Sequence, residues 1–345
     1  MIINFLGLSN KSRNRIFNAA HIVIIIFFAT CTTTPYTIRT VESTTKEGLT
    51  GMNENQHFVT LSVVVLGDSW FDYPWYFEKN TAHQLSEGKN FKIPIEIAGR
   101  KTEANVEYHV TNLAINGQTL AQLLDQDEWF EPIVQEDPYF VILSAGGNDF
   151  LDEGSIRNII KPTLIGSLDC RDSKKKPQCY IDDTALKGRI MELRNKIEVF
   201  AKALPIITFN AKRHSQAKNL SFQPKTIPLV LHGYDYIIER DKIECYFLQS
   251  LFRKCEWVRP ILSDKKISIN DQREITKYLI DNYNSMLESV AEKDENIIYV
   301  NNRGIVGSEK KDWADEIHPN SEGFRRVAEN FHKVIMEKLH KKQRL

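Results

Sequence analysis

Four stretches of the chain hold side chains that together can carry out nucleophilic chemistry. Gly67-Asp68-Ser69 closes the apolar run 63–66, Gly117 lies in NLAINGQTL (112–120), Asn148 in ILSAGGNDF (142–150), and Asp315 and His318 in DWADEIHPN (312–320). A serine hydroxyl is a poor nucleophile until a base takes its proton, and His318 supplies an imidazole with an unperturbed pKa of about 6.5. Asp315, three residues earlier, can hold that ring. Attack on an acyl carbon puts negative charge on oxygen, which calls for preorganised donors: the backbone N–H groups of Ser69 and Gly117 and the side-chain amide of Asn148. A glycine at 117 also lets the backbone approach a substrate closely.

Taken singly, each stretch has a plain structural reading. Gly-Asp-Ser after a strand makes a turn or a helix cap, Asn-Gly at 116–117 makes a turn, Asn148 fits the turn GGND, and His318-Pro319 can cap a helix. A competing base stands in VLHGYDY (230–236), where His232 and Asp235 repeat the three-residue separation in reversed order. His232 is expected to pack at a strand end, with Tyr234 and Asp235 beyond it as pocket-wall residues. Trp70, Phe71, Tyr73, Trp75 and Tyr76 follow Ser69 and can line an acyl side or simply pack the loop.

The elements that must position these residues alternate along the chain. Apolar runs without polar alternation at 61–66, 106–111, 139–143, 227–232 and 296–300 read as strands covered on both faces. Helical patterns fall at 118–127, 184–203, 270–292 and 321–341, with a shorter one at 78–88. In the last long one, Phe324, Val327, Ala328, Phe331 and Ile335 make one apolar stripe. Strand–helix alternation implies an α/β fold with a doubly wound, mainly parallel five-stranded sheet flanked by helices. Two long connections, 150–183 and 233–268, follow strand C-termini, the edge at which open α/β sheets bind ligands, so they either wall a site or decorate the surface.

With the blocks and their strands in place, the chain resembles the GDSL-type, or SGNH, family of serine esterases and lipases. Ser69, Gly117, Asn148 and His318 match that family's four named residues in order, and Asp315 matches the acid of its Asp-x-x-His motif. The resemblance covers 60–155 and 296–330 and hardly touches the two insertions. Trp70 replaces the leucine of the family's name, a departure that bears on the acyl pocket's shape and leaves the chemistry intact. It implies a flavodoxin-like SGNH hydrolase fold over 59–345 and a Ser69–His318–Asp315 triad working through an acyl-enzyme. The substrate would be an acetylated glycan or a lipid acyl ester, and no cofactor or metal is called for. The rival reading is an envelope-anchored binding protein that uses the same cleft without turnover.

The rest of the chain narrows the setting. Lys plus Arg equals Asp plus Glu at 45 each, so no global field favours nucleic acid as a partner. P-loop, G-x-G-x-x-G and H-E-x-x-H patterns are absent from the sequence. Lys11, Arg13 and Arg15 precede the apolar stretch 22–31, which is about half the roughly 20 residues a bilayer-spanning helix needs, so 1–31 reads as an export signal and 32–58 as a polar linker. Cys31 ends the stretch in a partial lipoprotein box, leaving membrane attachment through Cys31 and simple secretion both open. In an exported chain the other four cysteines suit disulfides. Four cysteines allow three pairings, among which the sequence does not choose; Cys170 with Cys179 and Cys245 with Cys255 are the local pairs, and neither has the C-x2–4-C spacing of structural zinc sites.

Overall fold

Val63, Val64, Val65 and Leu66 offer no polar face to water, and all four are buried in the middle of a sheet. A computed structural model describes residues 57–73, 78–88, 91–97, 100–125, 127–161, 176–215, 227–238 and 256–343, all within the unit Thr37–Leu345. Among them β1 (His57–Gly67) pairs in parallel with β3 (Arg100–Asn112) on one side and with β4 (Phe140–Ser144) on the other. Beyond β4 come β5 (Leu229–His232) and β6 (Ile297–Val300), also parallel. β4 and β5 are buried along their whole length, as strands covered on both faces must be.

The five expected strands form this parallel set, and a sixth joins it. β2 (Lys92–Ile97) runs antiparallel to β3 at the sheet edge, giving the order β2-β3-β1-β4-β5-β6. Lys92, Pro94 and Glu96 break its apolar signal, and an edge strand tolerates both charge and proline because it pairs on one side only. Numbered among the parallel strands alone, the order is the flavodoxin-like 2-1-3-4-5. The chain leaves β1 in one direction to β3 and then crosses to β4 on the other side. Right-handed crossovers in both directions put helices on both faces, and the switch point lies at the C-terminal ends of β1 and β4.

The helices are α1 (Thr81–Glu87), α2 (Leu120–Asp125), α3 (Phe130–Glu136), α4 (Gly147–Leu151), α5 (Glu153–Ile159), α6 (Lys176–Tyr180), α7 (Asp183–Ser215), α8 (Arg259–Asp264), α9 (Ile269–Ala291) and α10 (Ser321–Gln343). The stripe of α10 is wholly buried at Phe324, Val327, Ala328, Phe331 and Ile335, which stabilises the docked helix by on the order of 10 kcal/mol. α10 packs on α1, and α9 on α6 and α7. The two insertions carry α5, α6 and α8. The expected export signal, most of the expected linker, Cys31, Cys170, Cys245 and Cys255 lie outside the described residues, so neither local cysteine pair is described in full.

Candidate active site

The register of β1 and β4 sets Gly67 beside Ser144, so the turns that follow leave the sheet side by side. Asp68 N–H donates to the Ser144 carbonyl at 2.8 Å, and Phe71 N–H and Asp72 N–H return to the Asp68 carbonyl at 3.1 and 3.0 Å. These bonds curl the chain into one tight turn with Ser69 at its crest. The loop after β3 is tied to the same turn. Ile115 N–H donates to the Gly67 carbonyl at 3.0 Å, Asn116 N–H to Asp72 Oδ2 at 3.0 Å, and the Asn112 amide to the Phe71 carbonyl at 2.9 Å. Gly117 follows with φ +79°, a conformation that costs glycine little, and a Cβ at this position would meet open space.

The loop between β6 and α10 brings in Asp315 and His318. Ala314 N–H donates to the His318 carbonyl at 2.9 Å and Trp313 bridges Pro319, closing a small hairpin around 315–317. Inside it Asp315 Oδ1 accepts from Ile317 N–H at 2.9 Å and from His318 N–H at 2.8 Å. Asp315 Oδ2 lies 2.7 Å from His318 Nδ1, and His318 Nε2 lies 2.7 Å from Ser69 Oγ. All three residues are buried. Burial alone would raise the Asp315 carboxyl. The His318 ring, by charge and by hydrogen bond, and the two backbone N–H groups outweigh it and hold the carboxyl below its usual range. A carboxylate fixed on Nδ1 leaves Nε2 as the nitrogen that faces the serine hydroxyl.

Asn148 stands in the first turn of α4, and its amide donates to the Gln118 carbonyl at 3.0 Å, joining the loops after β3 and β4. Asp149 strengthens the same junction by accepting from Leu120 N–H at 2.7 Å. A cleft opens at this edge, with Ser69 and Asn148 in its floor. Leu151 from the first insertion and Ile237 and Trp257 from the second form its wall with Ile280 and Ile317. Both insertions therefore border the site. Glu316, next to Asp315, accepts from the N–H groups of Trp257, Val258 and Arg259 and so fastens the end of the second insertion to the His318 loop. Burial lifts its carboxyl to about 7, against the pull of those three donors.

The remaining residues singled out in the sequence have clear places. His232 is fully buried at the end of β5, its Nδ1 2.8 Å from Ser144 Oγ, and burial drops it to about 3. Tyr234 lines the cleft, whereas Asp235 points elsewhere and accepts from Gly304 and Val306 N–H groups. Trp70 sits in the cleft with its ring against Tyr234 and Trp313. Phe71 is core, and Tyr73 packs on the His318 ring and donates to Asp315 Oδ2 at 3.2 Å, a contact no sequence signal announced. Trp75 and Tyr76 lie outside the described residues. Among the described residues no group of three or more His, Cys, Asp or Glu side chains is set to hold a metal ion.

A family model described as the GDSL-like lipase/acylhydrolase family matches residues 65–326. No curated protein matches the chain. Among solved structures it is similar to the lipase Lip_vut3 from a goat rumen metagenome, at 14% identity over 79% of this chain and 97% of that one, with a TM-score of 0.41. A catalytic mutant of Axe2, an acetylxylan esterase from Geobacillus stearothermophilus, gives 14% identity over 80% and 94% with a TM-score of 0.37. An extracellular lipase from Streptomyces rimosus gives 12% over 79% and 99% with a TM-score of 0.38.

Proposed function

The chain belongs to the GDSL-like lipase/acylhydrolase family, which makes it a serine-dependent carboxylic ester hydrolase, and from that premise we propose how it cleaves its substrate. Ser69 Oγ attacks the acyl carbon while His318 Nε2 takes the hydroxyl proton, with Asp315 holding the ring and stabilising the imidazolium. The oxyanion is met by the N–H groups of Ser69 and Gly117 and by the Asn148 amide. His318 returns the proton to the leaving oxygen, the ester C–O bond breaks, and the alcohol departs from an acyl-Ser69 intermediate. His318 next takes a proton from water, the water oxygen bonds to the acyl carbon, and Ser69 leaves with that proton as the acid is released. The observation that carries this reading is the buried chain from Asp315 Oδ2 through His318 to Ser69 Oγ, 2.7 Å at each link.

The wall of Leu151, Ile237, Trp257, Ile280 and Ile317 supports an apolar acyl group in the cleft. We propose the setting as well: 1–31 an export signal, 32–58 a linker, attachment through Cys31 or secretion, and Cys170–Cys179 and Cys245–Cys255 bridges formed in an oxidising compartment. The test is a panel of chromogenic esters from two to sixteen carbons together with a fluorophosphonate probe. Labelling at Ser69 and faster turnover of chains longer than acetyl are expected. Labelling elsewhere, or hydrolysis that survives Ser69→Ala, overturns the assignment.

A further inference from the structure

Beneath Ser69 lies a set of polar side chains that the proposed route does not use. Asp68 is buried, its Oδ1 accepting from Trp70 N–H at 3.1 Å and from Ser144 Oγ at 3.2 Å. Its Oδ2 accepts from the Tyr234 hydroxyl, and the Tyr234 oxygen in turn accepts from Gly147 N–H at 3.3 Å. One phenol therefore joins the carboxylate just before Ser69 to the amide just before Asn148. The ring lies so close to the backbone that a Cβ on residue 147 would stand 2.9 Å from Tyr234 Cζ, which explains a glycine there. Tyr234 belongs to the second insertion, so this link reaches from the cleft wall into the floor.

Resting on the serine-esterase reading, we propose that Tyr234 is a positioning residue: its hydroxyl clamps the Asp68 carboxylate under the Ser69 turn and ties it to the oxyanion-side amide of Gly147. Two effects follow from the clamp. Asp68 Oδ1 fixes the N–H of Trp70 and with it the crest carrying Ser69. Its negative charge also attracts a protonated His318, the species formed in both tetrahedral steps. Burial raises the Asp68 carboxyl to about 6. The Tyr234 hydrogen bond is the largest pull in the other direction, ahead of Trp70 N–H, the His318 charge and Ser144. The other titratable groups facing it are His232, reached through Ser144 and held neutral by burial, and Tyr283, whose hydroxyl donates to the Ala145 carbonyl and is kept neutral by the same cause.

The experiment measures kcat and KM from pH 5 to 9.5 for wild type, Tyr234→Phe, Asp68→Asn and the double variant. At pH 7, Tyr234→Phe is expected to lower kcat by about tenfold or more while KM stays within about twofold. Removing the hydroxyl lets Asp68 hold its proton to higher pH, so the acid limb of this variant moves upward and its kcat recovers toward wild type by pH 9. Asp68→Asn loses a comparable factor at pH 7 and, having no proton to give up, does not recover as the pH rises to 9.5, and the double variant is no worse than Asp68→Asn alone. Wild-type kcat in Tyr234→Phe at pH 7, a loss that is the same at all pH values, or losses that multiply in the double variant would each overturn the proposal. If thermal melts show that Tyr234→Phe does not fold, Asp68→Asn decides: wild-type kcat in that variant overturns the clamp. Failure of the fluorophosphonate to label Ser69 in wild type would instead strike the esterase reading itself.

Discussion

In the loop after β6 an aspartate touches a histidine and the histidine touches a serine; beneath the turn after β1 an aspartate touches a serine and the serine touches a histidine. The first chain is Asp315–His318–Ser69, with 2.7 Å at both links. The second is Asp68–Ser144–His232, at 3.2 and 2.8 Å. Each aspartate also receives a tyrosine hydroxyl, from Tyr73 in one case and Tyr234 in the other. The inventory is nearly the same and the electrostatics are opposite. Where the carboxylate meets the ring directly, Asp315 is held below its usual range despite burial. Where a hydroxyl intervenes, burial prevails on both sides: Asp68 rises to about 6 and His232 falls to about 3. His232 Nε2 is also buried without a hydrogen-bond partner among the described residues. The order of contacts, not the list of residues, decides which set can move a proton.

The sharpest way to break this comparison is to remove each histidine. His318→Ala should lower kcat by about 10⁴- to 10⁶-fold, as loss of a base acting as a unit with its nucleophile does in other hydrolases. His232→Gln, which keeps a polar partner for the Ser144 hydroxyl, should cost less than about tenfold. Steady-state kinetics on one chromogenic ester distinguishes them. Equal inactivation would mean that the buried histidine takes part in turnover and that the two sets are not opposed.

Much of this arrangement was legible in the sequence because it depends on short-range pattern. Apolar runs gave β1, β4, β5 and β6, alternation with Val106, Tyr108 and Val110 buried and Glu107 exposed gave β3, and the periodic stripe gave α10. Ser69 and Asn148 sit just past a strand end, so strand placement brought them to one edge, and Asp315 and His318 reach the same edge from the loop between β6 and α10. What stayed hidden depends on distant partners. Tyr73 reaches Asp315 and Tyr234 reaches Asp68 across separations of 242 and 166 residues, and nothing local marks either. β2 was missed because a proline and two charges blur an edge strand, and Asp235 was expected at the pocket wall yet folds back to hold the loop before 306. The fastening of Trp257–Arg259 by Glu316 had no signal at all, because backbone N–H groups leave no trace in residue types.

Acid stability offers a second, smaller test of the same contrast. Burial lowers His232 from 6.5 to about 3 in the fold. Between those values the native state binds fewer protons than the unfolded chain, so its contribution is fully present above pH 6.5 and is lost as pH falls. The limiting slope is about 1.4 kcal/mol per pH unit. Asp68 runs the other way. Raised from 3.8 to about 6, it favours the fold most below 3.8 and loses that contribution as pH rises through 6. Wild type alone mixes the two, whereas the difference between wild type and His232→Gln isolates the histidine. Urea unfolding at pH 7, 6 and 5 should show that difference narrowing as the pH falls. A difference independent of pH would mean that His232 carries its proton in the fold and that burial does not govern this set.

The smallest effect separates the two tyrosines. Tyr73 donates to an oxygen of Asp315 that also faces the His318 ring, while the other oxygen keeps two backbone N–H groups. Its loss removes one hydrogen bond of about 1 kcal/mol from a carboxylate that remains paired, so Tyr73→Phe should lower kcat by about fivefold. Because Asp315 keeps its charge through His318, that loss should be the same from pH 6 to pH 9. Tyr234→Phe removes the chief donor from a carboxylate that has no cation in contact among the described residues, and its deficit should shrink as the pH rises. Parallel pH profiles for the two phenylalanine variants would show that the two aspartates are held alike. Divergent profiles, flat for Tyr73→Phe and recovering for Tyr234→Phe, are what an Asp315 in direct contact with the imidazole and an Asp68 separated from one by Ser144 require.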